Sequence, residues 1–107
     1  MPICWVKAGV CGQETTIEVT KTSHTKVKVS FITTCGHVQA LAEELTELDI
    51  GSEMTKAMNE TLTYILAAAH LCRNSCIVPA AILKAVEVAA GVFLPESSGI
   101  EFVEGAV

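Results

Sequence analysis

The chain has 107 residues, half of them apolar, a formal net charge of −5 and only seven Lys and Arg. It is sized for one domain over residues 1–107, and without a basic stripe to neutralise phosphates, nucleic-acid binding is disfavoured. A mean hydropathy of +0.48 is greasy for so short a chain, which predicts that part of its surface is buried in a homodimer or higher homo-oligomer.

Residues 3–8 read as a short strand. Gly9-Val10-Cys11-Gly12 reads as a turn, because two glycines around the cysteine permit positive φ. Residues 15–21 alternate, with Ile17 and Val19 on one face and Thr16, Glu18 and Thr20 on the other. A polar turn over 22–25 leads to a third strand over 26–34, with Val27, Val29 and Phe31 inward and Lys26, Lys28 and Ser30 outward. The result is an antiparallel meander with one wet face.

Helical period takes over after Cys35-Gly36. Val38, Leu41, Leu45 and Leu48 share one side, while Glu43, Glu44, Glu47 and Asp49 share the other. The acidic run from Glu43 to Glu53 is thus a solvated helix face, which Gly51 ends, with Ser52 capping the next turn. Residues 61–72 form a second helix, interrupted by Arg73-Asn74-Ser75. Pro79 opens a final helix reaching Ala90, with Gly91 as its C-cap. Apolar on nearly every side, this last helix is expected to be buried all round, which one sheet can scarcely provide. Residues 100–103 offer a short fourth strand. The expectation is an α+β domain, a three-stranded antiparallel meander with that added strand, packed on one face by three to four helices.

The N-terminal residues lack the basic and then apolar regions of a signal peptide. The longest apolar stretch, residues 77–94, is broken by Pro79, Lys84 and Glu87, short of the about 20 apolar residues a membrane span needs. A cytoplasmic protein is expected, its five cysteines reduced or ligating rather than disulfide-bonded.

No Gly-rich phosphate loop, nucleophile elbow or carboxylate pair is present, so a turnover enzyme is not the first expectation. The thiols are the distinctive feature. In a meander, the exits of strands one and three lie at the same end, which brings Cys11 near Cys35. Cys72 and Cys76 bracket the break between the last two helices. The spacing Cys-x23-Cys-x36-Cys-x3-Cys lacks paired zinc knuckles, so the case rests on topology. Cys11, Cys35, Cys72 and Cys76 are the candidate ligands of zinc or an iron–sulfur cluster, with His70 a possible replacement for one thiol. Cys4, roughly 20 Å back along its strand at ~3.3 Å per residue, is excluded.

A second chemistry competes. Cys35 and Cys76 each precede a helix, where the macrodipole favours an anion and lowers a thiol pKa. Either thiol is then a candidate persulfide carrier, and Cys76-x-x-Pro79 resembles, locally, the Cys-Pro-x-Pro helix start of small sulfur-carrier proteins. A third reading is a structural oligomerising module whose cysteines are small buried hydrophobes. His37 and His24 are expected to be exposed helical and turn residues.

Gly9-Val10-Cys11-Gly12, Cys35-Gly36-His37-Val38-Gln39 and His70-Leu71-Cys72 with Cys76-Ile77-Val78-Pro79, running into Ala81-Ile82-Leu83-Lys84-Ala85-Val86-Glu87 and Ala89-Ala90-Gly91, carry a resemblance over nearly the whole chain. The sequence resembles an uncharacterised family of small prokaryotic proteins, met mainly in anaerobes. That family commonly has Pro where Ile77 stands here. The resemblance implies a cysteine-centred site without naming its chemistry, and an anaerobic setting favours iron–sulfur or sulfur handling.

Overall fold

Alternation builds the sheet. The computed structural model describes residues 2–105, in which β1 (Ile3–Lys7), β2 (Glu14–Lys21), β3 (Lys26–Thr33) and β4 (Glu47–Asp49) form one antiparallel sheet in the order β1-β2-β3-β4. Thr15, Ile17 and Val19 of β2 and Val27 and Val29 of β3 are buried, while their sequence neighbours point to the other side. The register places Cys4 beside Ile17, Ile17 beside Phe31, Val19 beside Val29 and Val27 beside Leu48. One face is therefore apolar across all four strands.

Helices cover that face. They are α1 (Gly36–Glu44), α2 (Ile50–Thr55), α3 (Leu62–His70) and α4 (Val78–Ala89), with a 3-10 turn over Met58–Glu60 before α3. α4 packs on β1 and β2, α1 packs on β3, and α3 touches both α1 and α4. Ile17, Leu41, Leu45, Leu48 and Ile82 are at most 1% exposed, and burial of each side chain contributes about 1.5–3 kcal/mol. The expected α+β architecture is the one observed.

The fourth strand lies elsewhere than expected. Residues 100–103 carry no regular structure, and the sheet gains β4 from residues read as helix. Leu41, Leu45 and Leu48 have helical spacing, but α1 ends at Glu44 and Leu48 pairs with Val27 instead. Both arrangements bury Leu48, so periodicity alone did not separate them. Gly51 sits inside α2 rather than ending a helix, and Asp49 is the cap, its Oδ1 accepting the Ser52 N–H at 2.9 Å.

α4 begins with Pro79 in its first turn. It ends in a Schellman motif, with the Val92 N–H donating to Glu87 O and the Gly91 N–H to Val88 O, both at 3.0 Å, and Gly91 at φ +79°. Within the single chain, Val78, Pro79, Ile82, Ala85 and Val86 of α4 form one buried stripe, Lys84 is exposed, and Leu83 and Val88 are half-buried. Residues 91–105 are exposed throughout, and the described chain measures 47 × 28 × 25 Å.

Candidate functional site

The β1–β2 connection is a tight turn whose Gly12 N–H donates to Gly9 O at 2.9 Å. Gly9 at φ +92° and Gly12 at φ +72° occupy a region side chains resist, which explains the two glycines and leaves Cys11 exposed at the tip. Hydroxyls then tie this turn to the end of β3. Thr34 Oγ1 donates to Gln13 Oε1 at 2.7 Å and accepts the Glu14 N–H at 3.1 Å, and Thr15 and Thr33 share a 2.7 Å bond. Thr33 Oγ1 also accepts the Cys35 N–H at 3.1 Å. Cys35 is half-buried as the N-cap of α1, although its side chain makes no cap hydrogen bond. Cys11 and Cys35 thus belong to one end of the sheet, as the meander required.

The α3–α4 connection brings in the other two thiols. Cys72 is exposed just past α3, and Cys76 is half-buried, its N–H donating to Arg73 O at 3.3 Å. Cys35 and Cys76 both pack against the apolar core, so two thiols are anchored and two stand on exposed loops.

Electrostatics single out Cys76. Burial pushes the Cys76 thiol above its ordinary pKa of 9.0, a hydrogen bond from the Val78 N–H pulls it back, and the charges of Cys35, Cys11 and Cys72 push it up again. The expectation of a lowered Cys76 pKa is therefore corrected: the helix N–H acts, but desolvation outweighs it. Cys4 is raised by burial alone and stands apart.

Among the described residues, no group of three or more His, Cys, Asp or Glu side chains is arranged to hold a metal ion as it stands. His70 is half-buried, with its Nε2 paired to Glu44 Oε2, which leaves Nδ1 as its other nitrogen. His24 and His37 are exposed.

Glu53 went unrecognised in the sequence. Read as part of a solvated acidic face, it is 6% exposed. Its Oε1 accepts the Leu62 N–H at 2.8 Å, and its Oε2 accepts the Thr63 hydroxyl at 2.8 Å and the Thr63 N–H at 3.2 Å. A carboxylate from α2 thereby satisfies the start of α3, the helix that delivers Cys72. No local signal marks this, because the amides lie nine and ten residues away.

These features define a small α+β fold with Cys11 and Cys35 at one end of its sheet. A family model matches residues 4–102, and the chain belongs to that family, described as a family of unknown function (DUF6951). No curated protein and no solved structure matches the chain. No helix among the described residues is long and apolar enough to cross a membrane.

Proposed function

We propose that this chain binds a thiophilic metal, zinc or an iron–sulfur centre, through Cys11, Cys35, Cys72 and Cys76, and does so without being a turnover enzyme. The observation that carries the reading is geometric: Cys11 and Cys35 belong to one end of the sheet, and Cys35 packs against the same apolar core as the half-buried Cys76. Thiolates brought together repel one another, and a bound cation relieves that repulsion. The two core-anchored thiols supply fixed positions, and the Cys11 and Cys72 loops close onto the ion. His70 is the alternative to Cys72, ligating through Nδ1 while Glu44 orients its other nitrogen. A reduced, cytoplasmic setting belongs to the same reading, supported by five unpaired cysteines.

Metal analysis of protein purified without oxygen tests the proposal. Bound iron with charge-transfer colour, or bound zinc, is the expected result, lost in Cys11→Ser, Cys35→Ser and Cys76→Ser but kept in Cys4→Ser. Metal-free protein from medium containing both ions would sink it. The persulfide reading has one supporting observation, the Val78 N–H that donates to the Cys76 sulfur. It requires Cys76 or Cys35 to be the fastest-alkylated thiol at neutral pH, and the raised Cys76 pKa makes that reading second.

A further inference from the structure

β1 is an edge strand, with β2 on one side and no partner on the other among the described residues. Its outward side chains are apolar and exposed. Trp5, 60% exposed, lies level with Thr16 and then Ile32, itself 79% exposed, and Ile3 flanks them. An unpaired edge beside an apolar face is a template for another strand, which proteins ordinarily blunt or cover.

The chain carries a segment of matching pattern. β1 reads Ile3-Cys4-Trp5-Val6-Lys7, and residues 100–104 read Ile100-Glu101-Phe102-Val103-Glu104. Ile, aromatic and Val recur in step, and the last position changes sign from Lys7 to Glu104. Phe102 is 97% exposed, and no hydrogen bond among the described residues ties residues 97–105 to the body. A segment with strand-like alternation and its apolar side chains in water has not found its partner.

We propose that residues 100–104 of one copy add as a fifth strand to the β1 edge of a second copy, giving a reciprocal strand-exchanged dimer. Run parallel, the pairing sets Ile100 by Ile3, Phe102 by Trp5, Val103 by Val6 and Glu104 by Lys7. Lys7 already faces Glu14 across β2 and lies 5.1 Å from the Trp5 ring centre, so Glu104 joins an existing charged site. The central contact is aromatic on aromatic, the strongest kind of cross-strand pair. Two-fold exchange counts each contact twice. Five exposed side chains per exchange, Ile3, Trp5, Ile100, Phe102 and Val103, each offering on the order of 100 Å², give on the order of 1,000 Å² over the two exchanges, the lower bound of a specific interface. A second copy is the occupant because this segment is exposed and makes no hydrogen bond to its own sheet, while every copy offers the same open edge. The proposal rests on the edge and tail, independently of the thiols.

Trp5 is the single tryptophan, so one side chain reports the event. The experiment compares the full chain with a chain ending at Gly99 and with Phe102→Glu, by light scattering and by acrylamide quenching of Trp5. The expected result is a full-length dimer with protected Trp5, and two variants of half the mass whose Trp5 is freely quenched. A peptide of residues 98–105 added to the shortened chain restores protection. A full-length monomer overturns the proposal, whether Trp5 is exposed or covered by its own tail. So does a dimer that survives both variants with unchanged quenching. Circular dichroism guards against misfolding, and Phe102→Glu changes one exposed side chain only.

Discussion

Glu53 and Cys76 are both polar groups drawn in from water, and the fold treats them in opposite ways. Glu53, 6% exposed, receives three hydrogen bonds from the start of α3 and is complete within the chain. Cys76 is half-buried, and its thiol is raised chiefly by burial. A folded chain normally satisfies what it buries. The carboxylate meets that rule with internal partners, whereas a thiol, a small hydrophobe with weak hydrogen-bonding power, needs no such partner. The contrast separates a structural group from a candidate functional one without any appeal to motif.

The largest expected effect lies on the carboxylate side. Glu53→Ala leaves two amides and a hydroxyl without their acceptor and should cost about 3 kcal/mol in urea unfolding. Added metal should not recover that loss. A cost under about 1 kcal/mol would mean that solvent replaces Glu53, and the contrast would fail.

Metal addition probes the other side. At a free concentration a hundred times Kd, an ion bound only by the folded chain should stabilise it by about 2.7 kcal/mol, read as a rise in melting temperature. Cys35→Ser and Cys76→Ser should abolish that rise. Their metal-free forms should melt close to the parent, because the thiols satisfy little when empty.

The Asp49 cap is a smaller, half-buried version of the Glu53 device. Its carboxyl is held below the ordinary 3.8, chiefly by the Ser52 N–H. Asp49→Ala should lower the stability slightly at neutral pH, by less than Glu53→Ala does. The difference should close in acid, because a lowered carboxyl pKa contributes stability above the unfolded value and loses it as pH falls through the folded one.

The smallest effect is alkaline. Cys4 and Cys76 hold their protons above the ordinary 9.0 in the folded chain. The resulting stability is complete below that pH and is lost as pH rises through the folded values. Metal-free protein should therefore melt at lower temperature above about pH 9. Cys76→Ser should flatten this slope and Cys4→Ser should flatten it in part. An unchanged slope in Cys76→Ser would show that burial does not raise this thiol.

Much of this arrangement was legible in the residues. Alternation in Ile17-Val19 and Val27-Val29 marked the strands, and their meander order placed Cys11 and Cys35 at one end. Gly9 and Gly12 marked the turn, and Pro79 and Gly91 bounded the last helix. β4 was not legible, since Leu48 is buried equally well by helix or strand spacing. Glu53 was hidden inside a run of acids whose other members face water. The sign of the Cys76 shift was hidden too, because a helix start predicts a lower pKa and only packing reveals the desolvation that reverses it.

The sequence by itself determined what is local: periodicity, turn chemistry and helix caps act over a few residues, so the meander, three of the helices and the place of Cys4 within β1 followed from them. The tertiary structure decided what depends on long-range packing: Leu48 pairing with Val27, Glu53 reaching the start of α3, and the burial that raises the Cys76 thiol. Those contacts join residues distant in the chain, and their energies come from desolvation and burial that no short window of sequence contains.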